Sequence, residues 1–332
     1  MKITSLAAAF AMIVFPFFII NQIHTDGQKL SLRTELRYNA AIDAAVQDAA
    51  LMLISNEKQG FEAQYESAKN VRANLDAAMD AFYRTLYVNF GIADDPQAQA
   101  LLDVYIPAIV VIGYDGYYLY ADDEFANRGG ETESRHVWYA KKPYAYRDAA
   151  GNSLSFTLDE YVTAYEPGTQ TWRQGFRRDI APSSAVPLLQ DAAVFEQVRR
   201  WTIVSSIQED LQYYINRHNA LAKRYGVSYT FTLPAISGEE WNNTIQDVGV
   251  IAFVQGIAIG DRYYNNYALG GARIVKRDEF AGIVANGIKY YYRRSECSSP
   301  LPTQETFQSE KEAARNGYYP LACANSHSTV RD

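Results

Sequence analysis

The chain has 332 residues, 48% of them hydrophobic and 21% charged, which is material for one or two domains with a sizeable core and excludes wholesale disorder. Its net charge of −7 excludes a general nucleic-acid binder, whose phosphate contacts need a basic face. Two cysteines, Cys297 and Cys323, are too few for a four-cysteine zinc site or a Cys-x-x-Cys redox centre.

The run Ile3–Ile20 carries no charge and is almost wholly apolar, behind Met1 and Lys2. At about 1.5 Å per residue, 18–21 helical residues rise roughly 27–31 Å, enough to cross a bilayer core. The run is longer than a signal-peptide core, and Ile19-Ile20-Asn21-Gln22-Ile23 offers no small-x-small cleavage site. Pro16 is tolerable in a membrane helix. Residues 1–24 therefore read as a retained single-pass anchor in the cell membrane. The short N-terminal tail and the cysteine pair favour the bulk of the chain on the extracytoplasmic side, although Lys29, Arg33 and Arg37 lie beyond the helix. On that side of the membrane Cys297 and Cys323 can close a disulfide, contributing about 3–4 kcal/mol in the chain-entropy model.

After a polar break at Thr25-Asp26-Gly27, the spacing of Leu32, Leu36, Ile42, Val46, Ala49 and Leu53 predicts an amphipathic helix interrupted by Asn39. A third helix is expected over about 61–90, with Val71, Leu75, Ala78, Phe82 and Leu86 as its stripe and a hairpin turn near Glu57–Gly60. Asp94-Asp95-Pro96 caps and opens another helix ending before Pro107. Residues 25–105 are thus read as a helical stalk.

From Ala108 the pattern becomes that of strands. Ala108–Ile112 is a β-branched run, Tyr114-Asp115-Gly116 a hairpin signal, and Tyr117–Ala121, His136–Ala140, Tyr144–Arg147 and Ser153–Thr157 further strands, making about 106–165 an antiparallel sheet. A long helix or helix pair follows over Val186–Arg224, with Phe195, Val198, Ile207, Leu211, Ile215 and Leu221 on its apolar side and Gly226 as cap. Ser228–Leu233 alternates like a strand. Glu239–Gln246 reads as a short helix, Val248–Ile259 as buried core, and Ala272–Val275 and Ile288–Arg293 as closing strands. Residues 106–286 form the expected α+β head and 287–332 a small α/β subdomain.

The chain holds 26 tyrosines against 15 phenylalanines, many in clusters. An apolar ring with a polar tip suits half-buried sheet faces and contact surfaces. Tyr114, Tyr117, Tyr118 and Tyr120 around the first hairpin are the expected binding face. The basic groups Arg173, Arg177 and Arg178, Arg199 and Arg200, and Arg293 and Arg294 read as solvated charge. Gly270-Gly271 lies outside any GxGxxG or Walker pattern, and no GxSxG elbow or HExxH is present. His24, His136, His218 and His327 are scattered. Asp122-Asp123-Glu124 reads as an acidic loop between strands, without the glycine and terminal glutamate of an EF-hand. No cofactor, metal or catalytic residue is assigned.

The segment Tyr290–Cys297, Thr306–Ala314, Gly317-Tyr318-Tyr319-Pro320 and Cys323 resembles the small zinc-binding module of the Ada type of DNA-repair methyl acceptor. That family's module uses four cysteines and only Cys297 and Cys323 fall at matching places, so zinc binding and methyl transfer do not carry over. The resemblance implies a compact fold that a disulfide can staple. The front of the chain, an apolar helix, a continuing amphipathic helix and then a globular head, resembles the pilin-like proteins of tight-adherence secretion systems. It lacks the Gly-Phe site and following glutamate of a type IV prepilin. That resemblance implies a non-enzymatic structural or assembly component of a pilus-like or secretion apparatus at the bacterial surface, with protein partners. An extracytoplasmic ligand-binding or sensory module and a cell-wall-directed enzyme are the alternatives.

Overall fold

The computed structural model describes residues 2–55, 67, 69–126, 129–224, 226–272, 280–293, 301–307 and 310–321; the side chains of residues 2–9, 11, 13, 16 and 293 lie outside that description. The chain divides into two compact units, Met1–Ile274 and Val275–Asp332. Both are mixed helix and sheet, so the α+β class expected from the sequence holds.

The first unit begins with one uninterrupted helix, α1, from Lys2 to Leu53. The expected break at 25–27 is absent. Thr25 Oγ1 donates back to the Asn21 carbonyl at 2.7 Å and Lys29 pairs with Asp26 at 3.5 Å one turn apart. The polar triplet is thus absorbed into the helix, where a single glycine costs only about 1 kcal/mol. The environment of α1 changes along its length. Phe10, Phe15, Phe17, Phe18, Ile20 and Ile23 are exposed, whereas Ala41, Ile42, Ala45, Val46, Ala49, Ala50 and Leu53 are buried. Among the described residues no helix is long and apolar enough to cross a membrane; much of the Ile3–Ile20 run lies outside the described side chains.

α2 spans Leu75–Phe90, held between the Asn74 side chain, which accepts from Ala77 N, and Gly91 in the left-handed conformation. It starts later than the periodicity suggested, and the expected turn at Glu57–Gly60 lies outside the described residues. α1 and α2 pair through a stacked Tyr38–Phe90 contact and a Thr85 to Asp48 hydrogen bond of 2.6 Å. α3 is Pro96–Asp103, with Asp95 accepting from Gln97 N and Ala98 N at its start, as expected.

The strands β1 (Ala108–Ile112), β2 (Gly116–Ala126), β3 (Thr132–Trp138), β4 (Lys142–Arg147), β5 (Ser153–Phe156), β6 (Tyr161–Glu166) and β7 (Thr171–Phe176) come next. Three short helical turns follow, α4 (Arg177–Ile180), a 3-10 turn (Ala181–Ser183) and α5 (Pro187–Gln190). Then come the long α6 (Ala192–Arg224), α7 (Gly238–Thr244), β8 (Val248–Ile259) and β9 (Arg262–Ala272). The nine strands form one antiparallel sheet in the order β7-β6-β5-β4-β2-β1-β8-β9, with β3 also paired to β2. Every residue of β1 and the first nine of β8 are buried. Because side chains alternate faces along a strand, such runs need cover on both sides. α1 packs on β8 and β9, and α6 packs on β1, β2 and β4.

The residues expected to form a stalk therefore help build the head. Asn39, which interrupts the apolar stripe, accepts hydrogen bonds from Tyr264 at 2.6 Å and Asn266 at 2.7 Å on β9. Its carboxamide ties the helix to the sheet edge. Val248–Ile259 is a strand with a bulge near Gly256, and its apolar character reflects burial on both faces. Ser228–Leu233 is not a strand. Its backbone is satisfied by side-chain amides instead: Asn219 bridges Phe231 N and O at 2.7 and 2.8 Å, and Gln255 bridges Thr232 N and O at 3.0 and 2.7 Å. The strand expected at Ala272–Val275 ends at Ala272 as part of β9; residues 273–275 are outside the described set.

α7 opens with a capping box, in which Ser237 Oγ accepts from Glu240 N at 3.2 Å and Glu240 accepts from Ser237 N at 3.0 Å. These bonds hold the Glu240 carboxyl below its ordinary range. Ser237→Ala should lower stability by about 1 kcal/mol, read as a shift in urea midpoint with an unchanged slope.

The second unit contains β10 (Phe280–Ala285), β11 (Ile288–Arg293), β12 (Glu305–Phe307), α8 (Glu310–Arg315) and β13 (Tyr319–Pro320), in sheet order β12-β10-β11-β13. Phe280, Tyr291, Phe307, Ala313 and Tyr318 form its core. The expected subdomain boundary at 287 moves to 275, because β10 and β11 are the two arms of one hairpin. Asn286 and Gly287 both take positive φ in its two-residue turn. Cys297 and Cys323 lie outside the described residues.

Candidate functional site

The acidic triplet is not a loop. Asp122, Asp123 and Glu124 are consecutive residues of β2, and each meets a basic side chain of α6. Asp123 pairs with Arg217, and Glu124 pairs with Arg224 at 2.7 Å. Arg217 also donates to the Tyr139 hydroxyl at 3.1 Å, which donates to the Asp122 carbonyl at 3.0 Å. Burial pushes the Tyr139 phenol up to about 12. Each of these carboxylates thus has a cation or an imidazole as partner.

Asp122 is the centre of the group. Antiparallel pairing of β2 with β3 sets it opposite His136, and α6 brings His218 to its other side. Its Oδ1 lies 3.2 Å from His136 Nδ1 and its Oδ2 lies 2.6 Å from His218 Nδ1. The outer nitrogens also face oxygens: His136 Nε2 is 2.8 Å from the Ile106 carbonyl and His218 Nε2 is 2.9 Å from the Val104 carbonyl. Each ring is thus held at both nitrogens, between the Asp122 carboxylate and a backbone carbonyl. Burial opposes ionisation of Asp122, but the His218 hydrogen bond and the charges of His136, His218 and Arg217 together hold its carboxyl below the ordinary value. Two of the four scattered histidines thus form a buried His–Asp–His bridge that fastens the loop after α3 to β2, β3 and α6.

Beside this bridge opens a cavity of about 760 Å³, within the usual range of small-molecule sites. Tyr83 and Tyr87 of α2, Asp103 at the end of α3, and Tyr120 of β2 line it together with His136 and His218. The Tyr83 ring centroid is 5.5 Å from that of Tyr87 and 6.4 Å from that of Tyr120, and Tyr120 stacks on His136 at 5.4 Å. Tyr87 donates to Asp103 Oδ1 at 2.9 Å. Burial raises the Asp103 carboxyl above its ordinary value and is only partly offset by the Tyr87 hydrogen bond and by His136. Burial likewise raises the phenols of Tyr83, Tyr87 and Tyr120, with Asp103 adding to each.

Of the expected face, only Tyr120 reaches this cavity. Tyr114 is buried and donates to Asp159 at 2.9 Å; Tyr117 is buried and donates to Asp210 at 2.6 Å. Tyr118 packs edge-on against Trp138. Alternation along β2 separates Tyr117 from Tyr118 and Tyr120. The bridge itself had one readable trace: His218 follows Leu211 and Ile215 on the buried side of α6, where a polar residue needs partners.

Among the described residues no three or more of His, Cys, Asp and Glu are arranged to hold a metal ion. All four imidazole nitrogens of the bridge are committed to oxygens. The cavity offers aromatic faces and one carboxylate, Asp103, whose side-chain partner is Tyr87. No family model, curated protein or solved structure matches the chain.

Proposed function

We propose that this protein is a non-enzymatic, membrane-held structural or assembly component of a pilus-like or secretion apparatus, with residues 3–20 as its single-pass anchor and the bulk of the chain extracytoplasmic. The observation that supports this reading best is the two-environment course of α1. One continuous helix carries exposed Phe15, Phe17, Phe18 and Ile20 at one end and core residues Ile42, Val46 and Leu53 at the other. Each such exposed side chain stands to gain about 1.5–3 kcal/mol on leaving water. A bilayer supplies the missing apolar surroundings, and the buried half of the same helix fixes the head to it. The tyrosine-rich sheet and helix surfaces are then available to partner subunits.

Deletion of residues 3–20 should move the protein from the membrane fraction to the soluble fraction while leaving its circular dichroism that of a folded α+β head. Protease added to intact cells should digest the head of the full chain, and crosslinking should capture other membrane-apparatus subunits. A full-length chain found wholly in the soluble fraction, or a head protected from external protease, would overturn the reading. The second reading, an extracytoplasmic ligand-binding module, is favoured by the cavity beside Asp103.

A further inference from the structure

We propose that the cavity between α2, α3, β2, β3 and α6 binds an organic cation, an ammonium group carried on an apolar body, with Asp103 as its counter-ion and Tyr83, Tyr87 and Tyr120 as its walls. This goes beyond the assembly reading and does not depend on the anchor.

Three observations carry it. First, three phenol rings from two separate elements converge on one cavity. The negative face of an aromatic ring attracts a cation, and that attraction grows where water is excluded. Second, Asp103 stands at the wall of this cavity with one side-chain hydrogen bond, from Tyr87, and no salt bridge among the described residues. Carboxylates removed from water are ordinarily paired, and an entering ammonium would supply the missing partner. Third, none of the positive groups that line the cavity pairs with Asp103 among the described residues. His136 and His218 hold Asp122 and two backbone carbonyls, and the Arg135 guanidinium lies over the Phe125 ring at 4.5 Å. The hydroxyls of Tyr83 and Tyr120 make no hydrogen bond among the described residues, which leaves donors and acceptors for a polar substituent. The volume admits a body of one or two rings.

Isothermal titration of the full-length protein in a non-ionic detergent, with phenethylammonium, 2-phenylethanol and 3-phenylpropionate as probes, tests this directly. The three share a phenethyl body and differ in charge. Phenethylammonium should bind saturably, and at least about tenfold more tightly than the alcohol, as expected of a charge-assisted contact; the carboxylate should not bind. Asp103→Asn should remove that preference, with circular dichroism showing the fold retained. Tyr87→Phe keeps the ring but frees Asp103 from its hydrogen bond, so it should bind phenethylammonium as tightly as the native chain or more so. Equal binding of alcohol and ammonium, preference for the carboxylate, no saturable binding of the ammonium, or a folded Asp103→Asn that keeps the preference would each overturn the proposal. Should Asp103→Asn fail to fold, the three-probe comparison on the native chain and on Tyr87→Phe decides it.

Discussion

Asp122→Ala should cost about 3–5 kcal/mol of folding stability, the usual penalty for removing one member of a buried, hydrogen-bonded charge group. The carboxylate is the common acceptor for His136 and His218, and both rings are largely buried. Without it, two imidazole Nδ1 atoms lose their partner at once, while their Nε2 atoms remain tied to the Ile106 and Val104 carbonyls. The strain therefore falls on the loop after α3, on β3 and on α6 together. Asp122→Asn should cost less than alanine, because the amide oxygen still accepts from one ring. Urea unfolding, with the midpoint falling and the slope unchanged, measures both.

The acid side of the stability profile reports on the same group. The folded Asp122 carboxyl lies below its ordinary value, so the unfolded chain takes up a proton first. Its contribution is fully present above the unfolded carboxylate value of about 3.9 and is lost as pH falls through the folded value. Glu166, Glu196 and Glu240 are depressed too and lose stability in the same direction. Asp122→Ala should therefore show a shallower, not an absent, decline below about pH 4.

The elements governed by local chemistry were readable from the chain. β1 followed from its β-branched run and α3 from Asp95 and Pro96, because their signals lie within a few residues. What was hidden depends on partners distant in sequence. Asp122, His136 and His218 look like a loop acid and two stray histidines until strand pairing and a helix crossing bring them together. A run of three acids on β2 mimics a solvated loop, since the basic residues that neutralise it are about ninety residues further on in α6. Ser228–Leu233 has a strand's alternation but pairs with no strand among the described residues, and Asn219 and Gln255 take the ladder's place. The cavity was invisible for the same reason: Tyr83 and Asp103 belong to helices whose stripes explain only their packing. At the front of the chain, cap-like residues at 25–27 suggested an end, but helix continuity is set by the buried segment that follows and the apolar segment before it.

Gly270 marks where that continuous helix is held. A Cβ built there would sit 2.7 Å from the Val46 carbonyl oxygen and 2.8 Å from Val46 Cγ1, so α1 touches β9 backbone to backbone. Gly270 is thus a close-approach site on a strand. Gly270→Ala should cost about 3 kcal/mol, because the obstructing atom belongs to helix backbone and cannot swing aside. Gly271, one residue on, points to open space, with nothing within 4 Å of a Cβ. Gly271→Ala should therefore change stability by no more than about 0.5 kcal/mol. Matched urea titrations of the two variants separate close packing from any general effect of alanine on the strand. In the full chain, Gly270→Ala should accordingly loosen the α1–β9 pairing at Asn39, Tyr264 and Asn266, seen as faster amide exchange along β9, while Gly271→Ala leaves exchange there unchanged. Equal exchange in both variants would mean that the helix is held elsewhere.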